Sequence, residues 1–472
     1  MAFLMLAMSL AAIEGTIVAT AMPSIVASVG GFEYYAWVFA AFLLAQATST
    51  PLYGRLADAH GRKPVLLAGI ALFMLGSALC GFATSMPLLV AFRVLQGFGA
   101  GAVYPMVTTL VGDLYEVKDR GMAQAYLSSV WGVSAVVGPL LGGALVQHAH
   151  WGWVFWFNVP FGLAAIVGLG VYLHESVKRT DSRIDVLGAA LMFVAIGGLM
   201  LFLTPGALWG PAATIAIVVV ACAAGTAFVR RQLGSVAPLI GFDLWRDPLI
   251  LLADATTFMG GMLMIGLITY SPTYVQGVMG YSPTVAGLAL TAMSVGWPLA
   301  SAVAGRLVVP FGPANTARVG GIAALIGGAM YLAVTPERGP WWVAASSLAV
   351  GVGLGFIMTT TIVTIQSSVG WQRRGSATAG NMLMRLLGNS VGAATLGAVL
   401  NLALVRRSAG AGQAVIEEVQ ALLEPAGGRV AADPGTLALL ASSLHSVYVG
   451  VFVIAVLICL LAWLIPRGRR LA

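Results

Sequence analysis

Apolar runs of about 20 residues return from one end of this chain to the other, separated only by short polar breaks. No other feature restricts the fold as much. A run of that length crosses the hydrocarbon core of a bilayer as a helix. Inside lipid every backbone N–H and C=O must be satisfied within the protein, so only helices and closed barrels span. The runs here are long and uninterrupted, with none of the ten-residue alternation of barrel strands. They predict fourteen spans, near 3–25, 34–54, 64–84, 87–111, 121–146, 153–173, 184–204, 211–230, 249–274, 282–304, 315–334, 341–364, 376–402 and 444–466. Charged residues make up 9% of the chain and hydrophobic ones 59%. A soluble domain carries about 25% charge, and no stretch reads as one.

The first run lacks a basic leader and holds Glu14 inside it, so it reads as a span and not as a cleaved signal. Of the 24 Lys and Arg residues, only Arg338, Arg406, Arg407 and Arg429 fall in breaks on one side of the membrane, and only Arg93 and Arg385 lie well inside spans. The others share the opposite side, which the positive-inside bias makes cytoplasmic, with both termini there. The net charge of +7 is then a matter of topology and calls for no nucleic-acid partner. Cys80, Cys222 and Cys459 show no paired spacing and read as packing residues, with no metal site.

The chain repeats itself. "GRLADAHG" at 54–61 returns as "GRLVVPFG" at 305–312, and "RGMAQA" at 120–125 as "RGSATA" at 374–379, at nearly one spacing. The repeat predicts two six-helix bundles, 1–175 and 236–472, with two additional helices and their linkers inserted at 176–235. Duplicated bundles of this kind build transporters of alternating access.

Five stretches carry a resemblance to a known family. "GRLADAHGRKPVLL" from Gly54 resembles the loop motif of the major facilitator superfamily, and "RVLQGFGAG" from Arg93 its fourth-helix motif. "GVSAVVGPLLGG" from Gly132 is similar to the fifth-helix motif of its drug:proton antiporters. "IEGTIVATAMP" from Ile13 and "WGWVFWFNVP" from Trp151 resemble the first- and sixth-helix motifs of its fourteen-span branch. Two departures stand out: Glu14 occupies a position where the branch usually has Asp, and the second loop motif has Val309 in place of the acid Asp58. The resemblance implies an all-α polytopic membrane protein of the major facilitator fold. It also implies a cytoplasmic gate of Gly54, Asp58, Gly61, Arg62 and Asp113, and a pliable export seam at Gly132, Gly138, Pro139, Gly142 and Gly143. By the same analogy the cavity is lined from Gln46, Trp131, Phe258, Met262, Tyr270, Trp297, Phe356, Asn381 and Asn389.

The residues have their own reading beside this. Gly54 and Gly61 allow a tight turn between helices, and small residues along the fifth span let two backbones approach closely. A charge at bilayer depth costs about 2.5–3.5 kcal/mol on insertion scales, so it faces a partner or a wet cavity. Arg93 and Arg385 are such charges, and Glu14 and Asp254 are the acids at least a turn inside spans. Glu14, deepest of the acids, is expected to exchange the coupling proton. Alternatively it is held permanently by Arg385 or Arg93 as glue between helices. Asp254, about a turn from the cytoplasm, reads equally as an interfacial residue or a cavity residue.

These features predict a monomeric, proton-coupled exporter of small hydrophobic, cationic molecules in a bacterial plasma membrane, with no cofactor. The same machine could instead move a lipid, a siderophore or a metabolite. An enzyme is disfavoured because His60, His148, His150, His174 and His445 all lie at loops or span ends and no catalytic grouping stands within the spans. No phosphate-binding loop ending in GK[ST] is present to serve an ATP-driven pump. The longest outer segment, 403–443, is expected to hold a short amphipathic surface helix around "AVIEEVQALLE".

Overall fold

The computed structural model describes the chain apart from residues 115–116, 174, 176–184, 204–209, 236–238, 240–241, 370–373, 408–433 and 467–472. Some side chains within helices, including those of Asp58 and Asp113, also lie outside the described set. The described residues form fourteen long helices. They are α1 (Ala2–Val29), α2 (Tyr35–His60), α3 (Arg62–Gly81), α4 (Met86–Leu114), α5 (Val117–His148), α6 (Asn158–Tyr172) and α7 (Val186–Leu203). These are followed by α8 (Gly210–Leu233), α9 (Pro248–Thr273), α10 (Pro283–Phe311), α11 (Pro313–Leu332), α12 (Gly339–Ser368), α13 (Arg374–Arg407) and α14 (Pro434–Leu464). Each expected span falls on one of them.

Among the described residues, eleven segments are long and apolar enough to cross a membrane. The helices outside that set are α2, α7 and α11. Gln46, Thr48, Ser49 and Thr50 dilute the apolar character of α2, and the apolar part of α7 is short, Val186–Phe202. The last helix begins ten residues before its expected span, because the apolar run extends back to Pro434, which suits a first helical position. The expected amphipathic outer helix, 414–424, lies outside the described residues.

The chain divides into two compact units, Met1–Leu199 with Ile215–Leu239, and Met200–Thr214 with Ile240–Ala472. Each is built on one pattern. In the first, α1 packs along α5, α4 lies against both α2 and α3, and α6 touches α1 and α3. In the second, α9 packs along α13, α12 lies against both α10 and α11, and α14 touches α9 and α11. The duplication reaches the backbone. Gly61, between α2 and α3, has φ 98° and ψ 157°, and Gly312, between α10 and α11, has φ 78° and ψ 156°. Both turns sit in left-handed φ, where a side chain is strained, so glycine recurs at the same place in each repeat.

The first of these turns is clasped from both sides. Glu175 accepts hydrogen bonds from the backbone N–H groups of Arg62 and Lys63, each at 2.8 Å, and so caps the start of α3. Lys63 Nζ in return donates to the carbonyl oxygens of Gly170 and Leu173 at the end of α6. An anion at a helix start and a cation at a helix end both suit the helix dipole.

The helices α7 and α8 are tied by Asp185. Its carboxylate accepts from Gly188 N at 2.9 Å, Arg231 Nε at 2.6 Å and Gln232 Nε2 at 2.8 Å. Burial alone would raise the Asp185 pKa, but the bonds from Arg231, Gly188 and Gln232 outweigh it and hold it below the ordinary carboxylate value. Phe193 of α7 stacks on Phe98 of α4, with ring centres 5.7 Å apart. Most of α8 is exposed, and Cys222 on it is exposed too. That corrects the reading of all three cysteines as packing residues, because α8 buries little more than the side it turns to α7.

Candidate functional site: a buried carboxylate network

Glu14 stands near the middle of α1 and is 0% exposed. Its Oε1 accepts a short charge-assisted bond from Arg93 Nη1 of α4, and its Oε2 accepts from Asn158 Nδ2 of α6 at 2.7 Å. Arg93 is 1% exposed. It also donates to Gln96 Oε1 at 2.6 Å and, through Nε, to the carbonyl of Val38 at 3.0 Å. The Phe42 ring lies under its guanidinium, 4.0 Å from the ring centre. Gln96 Nε2 and Asn158 Nδ2 both donate to Ser77 Oγ, at 3.1 and 3.0 Å. Glu14, Arg93, Gln96, Ser77 and Asn158 therefore close a ring of hydrogen bonds across α1, α4, α3 and α6.

The ring explains how charge survives at this depth. A buried ion pair is stable only if its geometry is good and its remaining donors and acceptors are satisfied. Both conditions hold here. Local sequence supplies the positions: Arg93 and Gln96 are three residues apart and so share one face of α4, and Asn158 is the first residue of α6. The seam of α1 with α5 puts small residues beside this acid. A Cβ on Gly142 would lie 2.7 Å from the Ile17 carbonyl oxygen, and Gly138 packs directly on Thr16. Gly132, from the same motif, has open space around it, while Pro139 and Gly143 are buried.

The cation of Glu14 is thus Arg93. Arg385 is half-buried on α13 and, among the described residues, has no hydrogen-bond or ion-pair partner. Asp254 is 5% exposed on α9. It accepts from Trp245 Nε1 and Asn381 Nδ2, both at 2.8 Å. Asn381, expected along the cavity, is thereby engaged with Asp254. Tyr270 is fully buried and reaches the Ala393 carbonyl at 3.5 Å. Met262, Phe356 and Asn389 are buried, Gln46, Phe258 and Trp297 are half-buried, and Trp131 is exposed, its ring edge-to-face with Tyr104 at 6.1 Å between centres. Gly54 lies within α2, and the side chains of Asp58 and Asp113 are outside the described set.

Ser77, Gln96 and Asn158 were not singled out from sequence, although each is a polar side chain inside a membrane-length apolar run. That is the signal that could have found them. Trp245 and Thr257, beside Asp254, were missed as well.

The family model of the Major Facilitator Superfamily matches residues 4–393. "Multidrug resistance protein 3" of Bacillus subtilis (strain 168) is 33% identical over 399 residues, covering 84% of this chain and 78% of that protein. "Multidrug transporter protein MdtP" of the same organism is 31% identical over 402 residues, covering 84% and 74%. Among solved structures, a bacterial homolog of the human lysosomal transporter Spinster, inward-facing and unoccupied, has a TM-score of 0.72 at 17% identity. That match covers 98% of this chain and 95% of that one.

Proposed function

Because the chain belongs to the Major Facilitator Superfamily, whose members are transporters rather than enzymes, we propose that it exports small hydrophobic, cationic molecules in exchange for protons. The observation that carries this reading is the fully buried Glu14, paired with Arg93 and Asn158. A carboxylate with no access to water in the described conformation exchanges a proton only when the protein opens around it. Its protonation is therefore tied to conformation, which is what coupling requires. When Glu14 takes a proton, Arg93 keeps the Val38 carbonyl, Gln96 and the Phe42 ring. The cation does not become an orphan, and the cycle can proceed without unfolding the site.

The drug-like substrate class rests on the names of the relatives, two of which are multidrug proteins. Alternating access between the halves 1–175 and 236–472, with 176–235 inserted, is part of the proposal. So are a bacterial plasma membrane, cytoplasmic termini, a monomeric state and the gating role of Asp58, Arg62 and Asp113.

The test is transport by the purified protein in proteoliposomes with an imposed pH gradient, against a panel of cationic dyes, lipids and metabolites. Dye movement that follows the gradient and collapses with an uncoupler supports the reading. Movement indifferent to the gradient overturns the proton coupling, and uptake of metabolites alone overturns the substrate class.

A further inference from the structure

The second compact unit holds a buried carboxylate of its own, arranged differently from Glu14. Asp254 has no cation against it among the described residues. Its oxygens are met only by neutral donors, Trp245 Nε1 on Oδ2 and Asn381 Nδ2 on Oδ1. Asn381 Nδ2 also donates to Thr257 Oγ1 at 2.9 Å, and that hydroxyl is 3.0 Å from Thr361 Oγ1. We infer that Asp254 is a second proton-exchanging site, with Asn381 and Thr257 as its adaptable partners and Trp245 as its cap.

The chemistry favours a proton over a metal cation. Both carboxylate oxygens already accept N–H bonds, and the hydroxyls of Thr257 and Thr361 complete a set too small for the six or more oxygens of a hard cation. The same set suits both states of a carboxyl group. An amide offers N–H to a carboxylate and, turned over, C=O to a carboxylic acid, and a threonine hydroxyl donates or accepts. A buried anion without a counter-charge is costly, so a proton is the natural occupant.

Access is short. Trp245 is half-buried, and its neighbours Leu244 and Arg246 line a cleft of about 460 Å³ together with Asp243, Asp247 and Ile250, the last of these one turn before Asp254. The other charges near this carboxyl are few. On its own side stand Asp243, Arg246 and Asp247, the last capping Leu249 N at 3.0 Å. No charged residue occurs in α12; α13 brings Arg385, one turn on from Asn381, and Arg374, whose side chain is outside the described set. From α14 there is only His445, and from α10 only Arg306.

The inference stands apart from the assignment of Glu14, and infrared difference spectra of the purified protein in lipid nanodiscs separate the two. Across a pH titration we expect a carboxylic C=O band that Asp254→Asn removes and Glu14→Gln leaves in place. Trp245→Phe takes one donor from the ionised form, so it should move the midpoint of that band up by about one pH unit. This variant also keeps the test open if Asp254→Asn fails to fold. A set of titrating bands unchanged by both variants overturns the inference. So does a midpoint that shifts when sodium replaces choline, which would make the site one for a metal cation. Loss of gradient-driven transport in Glu14→Gln bears only on the first site.

Discussion

The Glu14 carboxylate and the Arg93 guanidinium, 79 residues apart in sequence, meet inside one helical bundle where neither touches solvent. Removing either partner leaves a charge behind, but the two losses are unequal. Arg93→Ala strands a carboxylate held only by Asn158, and an uncompensated buried charge costs about 3–5 kcal/mol. Glu14→Gln leaves Arg93 with three other contacts and should be milder. Thermal unfolding in detergent will show Arg93→Ala well below Glu14→Gln. Equal losses would mean that the pair is not what holds α1 to α4.

For transport the order reverses in meaning. Glu14→Gln mimics the protonated acid, so it should bind substrate yet fail to move it against a gradient, while Glu14→Asp keeps part of the activity. The check is binding and uphill transport measured on the same preparation. Uphill transport by Glu14→Gln at the wild-type rate would remove Glu14 from the coupling.

Asn158 should behave as a member of the same ring. Asn158→Leu deletes the donor to Glu14 Oε2 and to Ser77 Oγ. Leaving such acceptors buried costs about 1–3 kcal/mol, read as a lower midpoint of unfolding, and gradient-driven initial rates should fall with it.

Glycines of one motif should differ sharply. Gly142→Ala places a methyl group 2.7 Å from the Ile17 carbonyl oxygen, and such overpacking costs about 1–3 kcal/mol. Gly132→Ala meets nothing within 4 Å and should gain up to about 1 kcal/mol from helix propensity. Melting of the two variants side by side decides it, and a loss in Gly132→Ala would contradict the open space seen there.

The Asp185 clasp carries its own pH dependence. A carboxyl whose folded pKa lies below its unfolded value, about 3.9, stabilises the fold above that value and loses the contribution as pH falls through the folded pKa. Asp185→Asn should therefore cost about 1 kcal/mol at neutral pH, given how open Arg231 is. The difference from wild type should vanish near pH 2–3. Unfolding curves of both proteins between pH 2 and 7 give the comparison, and a constant gap would rule the clasp out.

What the sequence determined by itself was whatever depends on composition along the chain. Membrane-length apolar runs specify helices because lipid offers the backbone no other partner. The duplicated motifs, down to Gly61 and Gly312, specify one pattern built twice, and the two arginines and two acids inside the apolar runs are legible as charges that need company. Which charge keeps which company was not legible. Depth favours Arg385 over Arg93 as the partner of Glu14 in one dimension, and depth along a helix says nothing about which helices adjoin. Only the packing of α4 and α6 against α1 and α3 decided it, bringing Arg93, Gln96, Ser77 and Asn158 together around one carboxylate. Asp254 shows the same division: its burial could be suspected from sequence, but its neutral partners come from α13 and from the segment before α9. Pairing at that level is set by side-chain reach over a few ångströms, and that distance exists only after the helices have packed.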